Sequence, residues 1–221
     1  MSPKLAALVV CGAAAIATTA AADFTPGFTQ APTVAEVAAA YPARARAANV
    51  SGAVMLTCEV GRDNRPRDCS ALKETPGNYG FGVAAQRLAE TMVVDTPMQG
   101  RNIFIPVNFD AAILSGGAMV TRPIWAEMPA IQDVQASFPK TENGVNNVRV
   151  VLGCKVEVGG VLSGCSIAQE DPPGQGYGAG ALALATKFKV APWAQDGSPT
   201  IGAHIRLPIH YALTPEPAKK P

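Results

Sequence analysis

Apolar side chains fall on every second position through Val54, Leu56, Cys58 and Val60, and again through Val150, Leu152, Cys154 and Val156. Alternation of this kind predicts strands with one buried face, and both cysteines lie on that face. The turn residues Arg62-Asp63-Asn64-Arg65 and Val158-Gly159-Gly160-Val161 come next. Asp, Asn and Gly accept the left-handed backbone of a tight hairpin, so each strand is expected to turn back on itself. Upstream, Thr33 to Tyr41 and Ala130 to Phe138 predict short helices stopped by Pro42 and Pro139, and Thr33 with Glu36 forms a capping box. Downstream, the pattern changes to helical spacing. Ala85, Leu88, Ala89 and Met92 share one face of a helix expected over 83–93, and Ala181, Leu184, Ala185 and Phe188 share one face over 179–190. Alternation then returns in a last strand at Ile103, Ile105, Val107 and Phe109, and at Ala203, Ile205, Leu207, Ile209 and Tyr211.

The chain is therefore written twice. An offset of 96 superimposes Cys58 on Cys154, Cys69 on Cys165, Glu74 on Glu170, Pro76 on Pro172, Gly80 on Gly176 and Leu88 on Leu184. A repeat of this length points to a duplicated unit rather than one large fold. The expected fold class is α+β: two tandem small domains, each a three-stranded antiparallel sheet with helices on one side, in the order α-β-β-α-β. The expected boundaries are a signal peptide over 1–22, a first repeat over 24–110, a linker over 111–123 and a second repeat over 124–213. A loose tail follows over 214–221. Ser115-Gly116-Gly117 reads as a flexible break, and Pro106 and Pro208 mark the last strands as edges or bulges.

Lys4, the apolar run Leu5 to Ile16 and Ala20-Ala21-Ala22 before Asp23 form an export signal. Lipidation at Cys11 is disfavoured by Val10 and by its place inside the apolar run. An uncleaved anchor is the alternative to cleavage, since Leu5 to Ala22 approaches the roughly 20 residues that span a bilayer. Without the signal, basic and acidic residues balance at 17 each, with no basic cluster to draw a nucleic acid. Four cysteines then remain in a chain bound for an oxidising compartment. Centring the hairpins on Asp63-Asn64 and Gly159-Gly160 sets Cys58 opposite Cys69 and Cys154 opposite Cys165. Structural disulfides are the preferred reading. Free or metal-bound thiols and a redox-active pair are the alternatives; a metal site usually brings closer pairs or histidines, and a redox pair wants Cys-x-x-Cys spacing.

Other motifs read as ordinary structure. Gly80 to Ala85 and Gly176 to Ala181 match a G-x-G-x-x-A fingerprint, with Asp196 at dinucleotide distance. The preceding strand belongs to a hairpin, however, and Asp196 sits in an Asp-Gly turn, so helix-entry loops are expected. His204 and His210 fall on the outward face of the last strand and read as surface groups. Trp125 and Trp193 either fill core gaps or anchor a contact between repeats or with a partner. No catalytic constellation, metal motif or cofactor site stands out.

The chain resembles the C-terminal domain of the TonB energy-transducer family. The resemblance rests on the Tyr41-Pro42 or Phe138-Pro139 entry, the hairpin strands, and the glycine-aromatic-glycine segments Gly80-Phe81-Gly82 and Gly176-Tyr177-Gly178. The stretch from Pro192 to Ile209 completes it. It covers about 24–110 and 124–213. The resemblance implies a periplasmic, non-catalytic module whose partner is a protein or peptide, such as an outer-membrane receptor segment, added to an exposed sheet edge. The partner strand is expected along Ile103, Ile105, Val107 and Phe109 and along Ile205, Leu207, Ile209 and Tyr211. Asp23 to Pro32 holds two prolines where family transducers have a long proline-rich arm, which favours an adaptor. A membrane-anchored transducer for transport across the outer membrane is the alternative, with membrane contact only if the signal segment is retained. An enzyme with an unrecognised site is the second.

Overall fold

The computed structural model describes residues 25–139 and 147–212. The signal segment 1–22 and the tail 214–221 lie outside the described residues. The order begins with β1 (Phe28–Gln30), α1 (Val34–Ala40), α2 (Ala43–Ala48), the hairpin β2 (Gly52–Val60) and β3 (Pro66–Thr75), and α3 (Phe81–Ala89). It continues through β4 (Val93–Val94), β5 (Asn102–Phe109) and β6 (Met119–Val120). A similar series, with no counterpart of α2 among the described residues, follows as β7 (Trp125–Glu127), α4 (Ile131–Ala136), β8 (Asn147–Val156), β9 (Leu162–Asp171), α5 (Tyr177–Ala185), β10 (Lys189–Val190) and β11 (His204–Ala212).

The α+β class is as expected. The first main sheet has the order β3-β2-β5. The second has four strands, β6-β11-β8-β9, where three were expected, because the linker supplies β6 parallel to β11. The flexible break expected over 115–117 is instead the bonded end of a 3-10 turn, Ala111–Ser115: Asp110 caps its start by accepting from Ala112 N–H, and Gly116 and Gly117 N–H donate back to the Ile113 and Ala112 carbonyls. Two short ribbons, β1-β4 and β10-β7, complete the architecture. The buried apolar side chains form one connected cluster through both halves.

Both second helices start two residues earlier than the apolar spacing predicts, at Phe81 and Tyr177. The reason is local. Gly80 and Gly176 hold φ of +86° and +82°, which a side chain would resist, and they turn the chain straight into the helix. The free amides at the first turn then meet a carboxylate from the hairpin: Glu74 accepts from Phe81 and Gly82 N–H, and Glu170 from Tyr177 N–H. This contact pins each helix to its own hairpin. At the other end the helices stop at Ala89 and Ala185, because Val94 and Val190 enter the short ribbons instead.

Each half is closed by an aromatic triad that joins the first helix, the second helix and the last strand. Tyr41, Phe81 and Phe109 stand 5.1–5.8 Å apart by ring centroid, and Phe138, Tyr177 and Tyr211 stand 4.8–6.0 Å apart. The hydroxyls are placed differently. Tyr41 donates to the Val50 carbonyl at 2.8 Å and lies 3.2 Å from that of Phe109. The buried Tyr211 hydroxyl makes no hydrogen bond among the described residues, and its neighbour Ser137 donates to Val134 instead. Tyr41→Phe is therefore expected to cost about 1–2 kcal/mol in urea unfolding, whereas Tyr211→Phe is expected to change stability by less than about 0.5 kcal/mol. Burial raises both phenols above the ordinary value of 10.0, with Asp110 adding to the effect at Tyr41. Folding stability is thus unaffected by ionisation of these phenols below that value and falls as pH rises toward the folded-state pKa values, because burial opposes the phenolate form. An unchanged midpoint in Tyr41→Phe would contradict this assignment.

Candidate functional site

The candidate site is the free margin of each main sheet, and hydrogen bonding decides which margin is open. On the hairpin side, β3 and β9 are blunted. Register shifts interrupt β2-β3 between Met55 and Leu56 and between Thr57 and Glu59, and β8-β9 between Val151 and Leu152 and between Gly153 and Lys155. The extra residues include Asp68 and Gly164, both with positive φ, at +49° and +57°. Bulges twist an edge out of line with an incoming strand. Each bulged hairpin carries its disulfide, Cys58–Cys69 or Cys154–Cys165, with Cα atoms 4.1 Å apart. The expected pairing is present, reached through a bulge rather than through an uninterrupted hairpin. Two such bonds match an oxidising, extracytoplasmic compartment.

On the other side lie the last strands. Ile103, Ile105, Val107, Phe109, Ile205, Leu207, Ile209 and Tyr211, the residues expected to bind a partner, are all buried on the helix-covered face. Outward-pointing backbone groups belong instead to the even-numbered residues between them, as the bonds of Pro106, Asn108 and His204 demonstrate. Side-chain alternation correctly identified the buried face. The edge groups follow from the ladder, which alternates independently of which face is apolar.

In the first repeat this margin is largely occupied from within. Ile103 follows Val94 by nine positions and Ile205 follows Val190 by fifteen, so the second repeat carries six extra residues in a loop before its last strand. That loop reaches back to β5. Trp193 Nε1 donates to the Pro106 carbonyl at 3.0 Å, Asn108 N–H donates to the Gly197 carbonyl at 2.7 Å, and Asn108 Nδ2 donates to Ser198 Oγ at 3.2 Å. Asp196 shapes the turn by accepting from Ser198 N–H and is held by Thr121 Oγ1 at 2.9 Å. Gly197 is required there: φ is +83°, and an added Cβ would lie 2.4 Å from the Pro106 carbonyl oxygen. Trp193 thus serves both readings at once, as buried core and as the anchor between repeats.

In the second repeat, β6 covers only the beginning of β11, with His204 N–H donating to the Ala118 carbonyl at 2.9 Å. Beyond Ile205, no strand or loop among the described residues bonds to the outer margin of Arg206–Ala212. Arg206, Pro208 and His210 are exposed there. Pro208 offers a carbonyl but no amide, while Arg206 and His210 offer both.

The remaining motifs are accounted for by neighbours. The glycine-led helix starts are filled by Glu74 and Glu170, so the position a phosphate would take at a dinucleotide site holds a carboxylate of the chain itself. His204 and His210 stand on the exposed face as expected. Trp125 packs against Phe188 at 5.1 Å and lines an apolar groove of about 780 Å³ between the ribbons, with Phe28, Val158 and Val190. Among the described residues no three His, Cys, Asp or Glu side chains converge to hold a metal, and no helix is long and apolar enough to cross a membrane.

No family model matches the chain. A stretch of 63 residues, 28% of the chain, is 30% identical to an uncharacterized protein of Caulobacter vibrioides. The matched stretch spans 63% of that relative's length, and its name assigns no activity.

Proposed function

We propose that this protein works in the periplasm as an adaptor. It captures an extended segment of an envelope or outer-membrane receptor protein by strand addition along β11, and it acts by binding rather than by catalysis. The observation that carries this reading is the uncovered run Arg206–Ala212, a straight edge beside a paired strand, while the other main-sheet margins are bulged or occupied by the chain's own loop. Export with two disulfides and the resemblance to the TonB C-terminal domain support it. A captured segment of five to seven residues makes a small interface, so affinity in the range of ~1–100 μM is expected.

Titrating the isotope-labelled protein with peptides from receptor N-terminal segments tests the reading. The amides of Arg206 and His210 are expected to shift, with little change at Asn108, whose amide is already bonded to Gly197. Shifts confined to the groove around Phe28 and Trp125, or no shifts with any peptide, would refute it.

A further inference from the structure

The two repeats differ most tellingly on the open face of the sheet, the side away from the helices. On β5 that face shows Asn102, Phe104, Pro106 and Asn108, and the equivalent positions of β11 show His204, Arg206, Pro208 and His210. One strand inward, Ala53 and Glu59 of β2 correspond to Arg149 and Lys155 of β8, which lie beside His210 and His204 in register. The margin occupied by the chain's own loop thus has no charged side chain on its last strand and Glu59 one strand inward, with Arg67 and Lys73 further in on β3. The uncovered one carries a basic face.

The compensation on that face is partial. Lys155 pairs with Glu157 at 3.0 Å, and Arg149 stands across from Asp171 on β9. Arg206, on the edge strand itself, has no ion pair among the described residues. A strand added to β11 would set alternate side chains beside Arg206, Pro208 and His210 on this face.

We infer that the segment captured at β11 is acidic: an extended peptide with two carboxylates four residues apart, about 13 Å along the strand, facing Arg206 and His210. This rests on the reading of β11 as a docking edge, and it adds the chemistry of the partner. Like-charged side chains directly across a strand pair repel, so the same face rejects a basic segment and supplies selectivity as well as attraction.

The probe is the peptide Thr-Glu-Val-Thr-Val-Glu-Val-Thr, capped at both ends, compared with versions carrying Gln or Lys in place of both Glu. Binding to the protein from Asp23 onward is followed through amide shifts and calorimetry at low and high salt. The Glu peptide is expected to shift Arg206 and His210 and to bind about three- to tenfold tighter than the Gln peptide at low salt. That advantage is expected to shrink to less than about twofold at 0.5 M salt and to vanish in Arg206→Gln. If the Glu and Gln peptides shift the same amides with equal affinity, the edge survives as a docking site and the acidic partner is refuted. If no peptide shifts β11, both readings fall. Binding to phosphatidylglycerol vesicles without peptide binding would make the basic face a membrane contact and overturn the inference.

Discussion

Reduction of both disulfides is expected to lower the thermal unfolding midpoint by about 10–20 °C. Each bond joins residues 11 apart in sequence, and closing a loop of that size removes about 2–3 kcal/mol of chain entropy from the unfolded state. The loops sit in separate hairpins, so their effects should add. At about 2–4 °C per kcal/mol for a chain of this size, the combined loss gives the stated range. Circular dichroism melts with and without a phosphine reductant measure it. Paired replacements, Cys58→Ala with Cys69→Ala and Cys154→Ala with Cys165→Ala, separate the two contributions. Cys58 and Cys154 lie in the core, so each pair should cost somewhat more than reduction of the same bond. An unchanged midpoint after verified reduction would show that the bridges add nothing to stability.

Period-two alternation located β2, β5, β8 and β11 and the face each buries, because burial of one face imposes that pattern regardless of the neighbours. Hairpin turn residues placed the cysteine pairs correctly. The bulges were not recognisable, since Asp68 and Gly164 look like any polar or flexible strand residue, and only the ladder register reveals the extra position. The starts of α3 and α5 were missed for a related reason. Their amides are satisfied by Glu74 and Glu170 from another element, seven residues before the helix, and no local capping pattern records such a partner. The ribbon strands β4 and β10 are two residues each, too short for any periodicity, and Val93 and Val190 were absorbed into the expected helices.

The candidate site was half readable. The last strands were identified, but which of them is open depends on contacts between residues far apart in the chain. The six extra residues before β11 were visible as a difference in length between the repeats. That they fold back onto β5 follows from Trp193 and Gly197 meeting Pro106 and Asn108, and neither repeat's own pattern encodes that meeting. The two halves are asymmetric at this margin. One last strand has become an internal joint, and its counterpart keeps a margin whose exposed side has turned basic.

Opening that joint provides the second large expected effect. Trp193→Ala removes a side chain only 2% exposed together with its bond to the Pro106 carbonyl, and it is expected to cost about 3–5 kcal/mol in denaturant unfolding. Gly197→Ala attacks the same contact differently, because the new methyl group meets the Pro106 oxygen and the turn must lift away. In both variants the Asn108 amide loses its bond to Gly197 and should exchange with deuterium about two orders of magnitude faster, as a local loss of about 3 kcal/mol requires. An Asn108 amide that stays protected, with an unchanged unfolding midpoint, would mean that the loop does not hold β5 in solution. The Gly197 variant also tests the division of labour between repeats. Its β5 margin would present outward amides at Asn102, Phe104 and Asn108 on a strand without a charged side chain, next to Glu59 of β2, where β11 carries Arg206 next to Lys155 and Arg149 of β8. The acidic peptide is therefore expected to bind this variant once, still at β11. The Gln peptide is expected to gain a second site on the freed strand. Two sites for the acidic peptide would show that edge availability alone, without the charge of the neighbouring face, decides what this fold captures.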